Sequence, residues 1–336
     1  MNAPHAVRVL SSYVYDRDDG PHTSMGRRNR WFHGFVKSVV RGGSRLEDLD
    51  VQFDRLPDAD TDVAALAARY ASAGVRLVIC AGTDSVVRWA RADRNLATLY
   101  FGAHPENNGL EVLRRGRISG VRLNLPLIWS FENFKLLGRL LPQLEALYVP
   151  LNLRSEFAFP NVRTNYELFR SRHDGAWIEG PSSYVGHRSV QFLAERLGCR
   201  YYERPYVGLD DLKSSLEAVG GGTRSAVVGF NDTTLLDGAV DVVLEVTGAA
   251  GLPLFWVNNY PIIEAGGVAD FSSDFERVGQ ALGRMALRIL RDGVPPDEVP
   301  FEEDPGQRLG LNLGRCAELK LTVSEELKKC FQATCG

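Results

Sequence analysis

Three small polar residues follow an apolar run in the stretch SAVVGFNDTT, where Asn231, Asp232 and Thr233 come directly after residues 225–230. Such residues can cap the start of a helix, but adjacent amide and carboxylate groups exceed what a cap requires. The ammonium group of a small molecule, or several hydroxyls, would be a natural partner for the Asp232 carboxylate. The stretch therefore predicts a ligand-binding site at the end of a strand.

Hydrogen-bonding or aromatic groups stand at the ends of five other apolar runs. Free amides at a helix start suit a carboxylate, aromatic faces suit a cationic or aromatic ligand, and an arginine can bind a carboxylate through two hydrogen bonds. A structural interpretation stays open for each: an ordinary helix cap, a core tyrosine, or a surface pair of Arg154 with Glu156. The candidate ligand-binding residues are Tyr13, Tyr15, Asp16, Thr83, Asp84, His104, Asn152, Arg154, Ser155, Asn259 and Tyr260, beside Asn231, Asp232 and Thr233.

Four residues are candidates for catalysis: His104, Asp232, Cys330 and Cys335. His104 has the chemistry of a general base, but no nucleophile is paired with it, and a lone loop histidine more often only donates or accepts hydrogen bonds. The two thiols in KKCFQATCG suit redox, metal or sulfur-transfer chemistry, yet the segment is expected to be an exposed tail in which they are incidental. No catalytic motif of the GxSxG, HExxH or GxxxxGK[ST] type occurs. The sequence predicts no cofactor and no metal, and it leaves open whether the protein is an enzyme.

Composition and charge exclude several classes of partner. The 336 residues are 44% hydrophobic and 24% charged, with a net charge of −3. Without an excess of basic residues, binding to nucleic acid or to an anionic membrane surface is not expected. No apolar run approaches the roughly 20 residues that span a bilayer, so membrane insertion is not expected. The first residues lack the basic and apolar regions of a secretory signal, which predicts a cytoplasmic location for the sequence as it stands.

Strand and helix patterns alternate along the chain, which is typical of βαβ units and parallel sheets. This rhythm runs through two successive series, so the sequence predicts an α/β protein of two doubly wound, Rossmann-like lobes. The region around ADFSSD (269–274) is less regular and is assigned no element. The predicted strands cover residues 7–14, 75–80, 96–102, 146–152, 200–207, 225–230, 252–258 and 309–313. The predicted helices cover residues 24–40, 84–93, 106–115, 130–141, 188–197, 209–218, 233–248 and 274–291, before a short C-terminal helix.

The order of these segments over residues 7–328 resembles the ABC-transporter substrate-binding proteins of the tryptophan/tyrosine type. The resemblance is strongest in four stretches, and VICAGTDSVV adds to it in the first half. These stretches are the strand–Asp-Asn-Thr–helix unit at Asn231–Thr233, GLPLFWVNN, GQALGRMALRILRDGVPPDEVP and LGLNLGRCAELKLTVSEEL.

The resemblance implies a type I periplasmic-binding fold, with three hinge crossovers near residues 121–126, 271–274 and 300–304. It implies an N-terminal lobe of residues 1–122 plus 273–301 and a C-terminal lobe of residues 123–272 plus 302–336, with the ligand in the cleft between them. The family's pocket positions then fall on Thr83 and Asp84, on Asn152–Ser155 and on Asn231–Thr233. The implied partners are a small-molecule ligand, such as an amino acid or a related carboxylate, and an ABC permease if the protein is exported.

Two main functional hypotheses follow, beside a third, a cytosolic sensor or regulatory partner that would bind a ligand as in the first but need a protein contact surface. The first is a ligand-binding protein that closes its lobes on a small, polar, amino-acid-like or carboxylate molecule without changing it. The second is a cytosolic enzyme that converts a small metabolite in the same cleft. The loop NLRSEFAF and the Ala103-His104-Pro105 turn differ from the family's usual sequences, which indicates an unusual ligand.

Overall fold

The structure of the protein is a computed structural model, which describes residues 4–11, 30–56, 60–92, 95–103, 117–122, 131–152, 178–179, 188–230, 239–257, 262–303 and 306–335. The chain divides into two compact units. Unit 1 comprises Met1–Leu125 and Ser273–Gly306, and unit 2 comprises Pro126–Ser272 and Gln307–Gly336. The chain therefore passes between the two units three times.

Strands and helices alternate as the sequence pattern predicts. The strands are β1 (His5–Ser11), β2 (Leu49–Arg55), β3 (Leu77–Ala81), β4 (Thr98–Ala103), β5 (Ile118–Arg122), β6 (Ala146–Asn152), β7 (Ile178–Glu179), β8 (Arg200–Tyr206), β9 (Ser225–Phe230), β10 (Leu254–Val257), β11 (Ala269–Ser273), β12 (Glu302–Glu303), β13 (Gln307–Asn312) and β14 (Ala333–Cys335). The helices are α1 (Arg30–Arg41), α2 (Asp60–Ser72), α3 (Thr83–Ala92), α4 (Phe131–Leu140), α5 (Arg188–Arg196), α6 (Leu209–Glu217), α7 (Val240–Ala249), α8 (Phe275–Leu290), α9 (Leu313–Glu318) and α10 (Glu325–Lys328). The helix predicted over 106–115 lies outside the described residues.

Unit 1 is built on a parallel sheet with the strand order β12-β5-β4-β3-β1-β2. The central strand β3 (LVICA) is buried along its whole length. A continuous apolar run of this kind is typical of a parallel strand that is covered on both faces.

Unit 2 contains a second sheet with the order β14-β13-β11-β10-β9-β6-β8-β7. The pairs β6–β8, β6–β9, β9–β10 and β10–β11 are parallel, while the short strand β7 pairs antiparallel with β8. The prediction of two parallel, doubly wound α/β sheets is confirmed.

Helices α1 and α8 pack closely in unit 1 because glycines occupy their contact face. A Cβ atom added at Gly279 would lie 1.7 Å from the Trp31 carbonyl oxygen, and one at Gly34 would lie 1.9 Å from that of Glu276. No real Cβ makes so short a contact, so the two helix backbones touch directly. Trp31 is 1% exposed, and its ring centroid lies 4.7 Å from that of Phe101 in β4. The helix pair is thereby fixed to the sheet.

Several features differ from the sequence prediction, and the strands β5, β7 and β12 are among those that the pattern does not predict. The pattern predicts neither β2 nor α2. β2 is an edge strand with mixed burial, so its apolar pattern is irregular, and α2 is rich in alanine, so it has no distinct row of large apolar residues. The irregular stretch ADFSSD forms the fully buried strand β11, whose polar residues interrupt the apolar pattern. The C-terminal segment is not the expected exposed tail, because Phe331 is 7% exposed and β14 pairs with β13.

Helices of the described part of the chain are too short or too polar to cross a membrane.

Candidate ligand-binding site at the strand ends

The three predicted site segments of unit 1 leave neighbouring strands. Strands β4, β3 and β1 are adjacent, with Ser11 at the end of β1 opposite Ala81 and Ala81 opposite Phe101. Since these strands are parallel and end within two residues of one another, the segments that follow them start at one edge of the sheet. These segments carry Tyr13, Tyr15 and Asp16, then Thr83 and Asp84, and then His104.

Two glycines shape the backbone at this edge. Gly82 (φ 89°) donates its N–H to the Phe101 carbonyl at 2.9 Å and turns the chain from β3 into α3. Gly102 (φ 73°) lies where the pairing of β4 with β5 shifts register, and a Cβ there would be 3.6 Å from the Gly82 Cα. Both conformations are readily adopted by glycine alone. The strand ends thus approach each other closely, immediately before the residues predicted to bind a ligand.

The three predicted segments of unit 2 also follow adjacent strands, β6, β9 and β10. Phe230 at the end of β9 is opposite Val257 at the end of β10. Tyr148 of β6 is opposite Val227 of β9, so Leu151 and Phe230 each lie three residues beyond this pair. The strands therefore end at nearly the same level, and the segments with Arg154 and Ser155, with Asn231–Thr233 and with Asn259 and Tyr260 begin there.

Asn152 is the predicted site residue whose side-chain environment is best defined. It is the last residue of β6, is 2% exposed and is paired in register with Tyr206 of β8, which is also 2% exposed. Asn152 directly precedes the segment with Arg154 and Ser155, whose assignment to the pocket stays a prediction.

Most of the other predicted residues cannot be placed. Helix α3 begins at Thr83, but the side chains of Thr83 and Asp84 are outside the described part. The following residues also lie outside it: Tyr13, Tyr15, Asp16, His104, Arg154, Ser155, Asn231, Asp232, Thr233, Asn259 and Tyr260. Their assignment to a binding site stays a prediction.

Of the two cysteine candidates, one precedes β14 and the other ends it. Cys330 precedes β14, and Arg139 of α4 donates a weak hydrogen bond to its Sγ at 3.9 Å. Cys335 ends β14 opposite Asn312, and its Sγ donates to the Ile263 carbonyl at 3.4 Å. Burial, together with the nearby carboxylates of Glu264 and Asp270, raises the pKa of the Cys335 thiol. Cys335 is therefore not set up as a reactive thiolate.

Asp270 is a buried acidic residue that the sequence analysis does not select. It is 0% exposed in β11, next to Trp256 of β10. Gly310 leaves room for it, because a Cβ at that position would lie 2.4 Å from the Asp270 Oδ1. The sequence feature that could have indicated a buried acidic residue here is the position of Asp270 between the apolar Ala269 and Phe271. Within the described ranges, no group of three or more His, Cys, Asp or Glu side chains could hold a metal ion.

Comparison with known proteins agrees with this architecture. Residues 182–334 match the model of a family described as ABC transporter substrate binding protein. No curated protein gives a significant match.

Three similar solved structures cover nearly the whole chain. A conserved domain protein from Vibrio cholerae is 15% identical with a TM-score of 0.71, covering 98% of this chain and 99% of its own. An ABC domain from Streptococcus pneumoniae, in complex with L-Trp, is 16% identical with a TM-score of 0.70 and the same coverage. The ligand-free, open structure of a substrate binding protein with adhesive properties from Clostridium difficile is 15% identical, with a TM-score of 0.60 and 96% of both chains covered.

The two parallel α/β units, joined by three chain crossings, define a type I periplasmic-binding fold. Residues 182–334 resemble the ABC transporter substrate-binding protein family, the same family that the sequence motifs indicate.

Proposed function

We propose that this protein binds a small, polar, amino-acid-like or carboxylate molecule between its two units, closes on it by hinge motion, and releases it unchanged. The observation that carries the proposal is the strand order. In each unit, the predicted polar segments follow three adjacent strands whose ends are level. Ligands of open α/β sheets bind beyond the carboxyl ends of the strands, where such segments converge.

A zwitterionic amino acid matches the predicted groups. The first N–H groups of α3 have no partner within the helix and would stabilise a carboxylate beside Gly82. Asp232 would bind the ammonium group, and the rings of Tyr13, Tyr15 and Tyr260 would contact an apolar or aromatic side chain. L-Trp, the ligand of the Streptococcus pneumoniae relative, is therefore the first probe.

The partner implied by the family name is an ABC permease, to which the protein would deliver its ligand. The enzyme alternative has no support from the comparisons. The raised pKa of Cys335 also argues against that thiol as a nucleophile, because a smaller thiolate fraction is present at neutral pH.

Native mass spectrometry of the purified protein, followed by the denatured mass of the same sample, tests the proposal. A small molecule that is released intact on denaturation supports ligand binding and identifies the ligand. A permanent mass change on the chain, or release of an altered product, would favour the enzyme instead. If no molecule co-purifies, calorimetric titration with L-Trp, the other amino acids and small carboxylates decides, and no Kd below about 100 μM, or −5.5 kcal/mol, would contradict the proposal.

Asp232→Ala is expected to weaken ligand binding at least tenfold, with little loss of stability. The ammonium group would lose its charged partner, an effect of about 1.4 kcal/mol or more. Asp241→Ala is the matched control, since Asp241 is an exposed acidic residue nine positions later in α7. Calorimetry gives the affinity and thermal unfolding gives the stability. Equal affinity of Asp232→Ala, Asp241→Ala and the parent protein would remove Asp232 from the site.

A further inference from the structure

A cavity of about 610 Å³ lies within unit 2, away from the strand ends that carry the predicted site. Its walls come from the end of α4 and the turn after it, from Thr223 before β9, and from the segment between α9 and α10. The turn after α4 leads into β6, whose first residue, Ala146, donates its N–H to the Arg224 carbonyl. The cavity is therefore at the edge where β6 and β9 begin, opposite the edge where they end.

The cavity combines an apolar wall with cationic and hydroxyl groups. Pro142 and Leu321 supply its accessible apolar part, while Leu140, Leu141 and Leu327, each at most 2% exposed, lie behind the surface of the wall. Arg139 and Lys320 supply two exposed positive charges, and Thr223 supplies a hydroxyl. No Asp or Glu is among the described residues that line it. The volume is within the range of about 300–1,000 Å³ that is usual for small-molecule sites.

Arg139 and Lys320 differ from nearby basic residues, which form ion pairs with acidic side chains. Arg315 binds Glu318 at 2.8 Å and Lys328 binds Glu325 at 2.6 Å, while Arg224 pairs with Glu145. Among the described residues, Arg139 forms a hydrogen bond only with the Cys330 Sγ, and Lys320 forms no ion pair. In a chain of net charge −3, two cations that have no acidic partner among the residues the structure describes attract an anion to the cavity.

The backbone of Lys320 adds a second, independent observation. Lys320 follows α9 with φ 56°, while its N–H and that of Leu321 donate back to the carbonyls of Ala317 and Cys316. This is the left-handed position after a helix, where glycine is preferred and another residue is strained. A lysine here places its charge at the cavity against the local preference of the backbone.

We propose that this cavity is a second ligand site, which binds the charged group of a small amphipathic anion through Arg139 and Lys320 and its apolar part through Pro142 and Leu321. The anionic group is a carboxylate, sulfonate or phosphate monoester, attached to an aliphatic or aromatic portion of several carbons. The site is independent of the proposed ligand site at the opposite edge.

Octanoate is the probe, with 1-octanol as its uncharged match, titrated into the full-length protein by saturation-transfer NMR. We expect octanoate to bind with a Kd of about 1 mM or lower, the strength typical of about ten heavy atoms, and 1-octanol to bind at least fivefold more weakly. Raising the salt concentration should weaken the binding of octanoate but not that of 1-octanol. Equal binding of both probes, or no binding of octanoate, would overturn the proposal.

Two single variants test the cations. Arg139→Gln and Lys320→Gly should each weaken octanoate binding at least fivefold, and the double variant should abolish it. Lys320→Gly should not lower the melting temperature, because glycine suits the left-handed backbone. Its loss of binding would therefore not be a loss of folding.

Two controls show whether octanoate binds in this cavity or elsewhere on the protein. Arg196→Gln removes an exposed cation of α5 that does not line the cavity, and it should leave octanoate binding unchanged. Asp232→Ala should also leave it unchanged, so the two ligand sites can fail independently. If Asp232→Ala abolished octanoate binding while Arg139→Gln did not, the anion would bind at the strand ends and the cavity proposal would be wrong.

Discussion

Gly279→Ala is expected to lower the free energy of unfolding by about 3 kcal/mol or more. The new methyl group would lie 1.7 Å from the Trp31 carbonyl oxygen and 2.8 Å from the Phe35 backbone nitrogen. Neither atom belongs to a side chain that can rotate away, so α1 and α8 must separate and the packing of Trp31 is lost. Because the free energy of unfolding of globular proteins is only about 5–15 kcal/mol, this single methyl group would remove a large part of it.

Gly248→Ala is the control for that substitution. Gly248 also lies in a helix, α7, but a Cβ there would meet no atom within 4 Å. Alanine should stabilise this helix by about 0.5–1 kcal/mol. Urea unfolding followed by circular dichroism measures both variants. If Gly279→Ala were as stable as Gly248→Ala, the direct backbone contact between α1 and α8 would be incorrect.

Stability is expected to fall above pH 9 because burial raises the pKa of several thiols, of which Cys80 is the most deeply buried. This residue of β3 is 0% exposed, and burial raises the pKa of its thiol well above the ordinary value of 9.0. The folded protein therefore keeps the thiol proton after the unfolded chain has lost it. The contribution of Cys80 to the free energy of unfolding is complete below pH 9 and declines as the pH rises. For Cys80 the free energy of unfolding falls with a slope that approaches about 1.4 kcal/mol per pH unit, or by about 2.3 kcal/mol between pH 9 and pH 11.

Tyr70 adds a second contribution in a higher pH range. Burial raises the pKa of its phenol first, and the hydrogen bond that it donates to Asp54 raises it further. Because the unfolded phenol ionises near pH 10, this contribution declines only above that value.

Two variants separate the contributions of Cys80 and Tyr70. Urea midpoints at pH 8 to 11 in the presence of a reductant should show a smaller slope above pH 9 for Cys80→Ala. For Tyr70→Phe the slope should decrease only above pH 10. A Cys80→Ala protein with the slope of the parent would show that the thiol is not the titrating group.

The alternation of strands and helices could be predicted because it depends on local patterns. Apolar runs such as VRLVIC are continuous, and residues 275–290 of α8 repeat with the helical period. The strand β11 was missed for the opposite reason. Its residues Asp270, Ser272 and Ser273 are polar, and only pairing with neighbouring strands makes them part of a buried sheet. The C-terminal β14 likewise exists because β13 offers it a partner.

The sequence by itself determined the types of residue that follow each strand, and hence the chemistry predicted for the site. It also carried the motifs of the family and the small residues of α8, because these are properties of short segments. Only the tertiary structure decided that β4, β3 and β1, and separately β10, β9 and β6, are neighbours with level ends. It alone joined Arg139 and Lys320 at one cavity, although they are 181 positions apart in the chain. Strand order and such distant contacts arise from packing the whole sheet, and no local pattern specifies them.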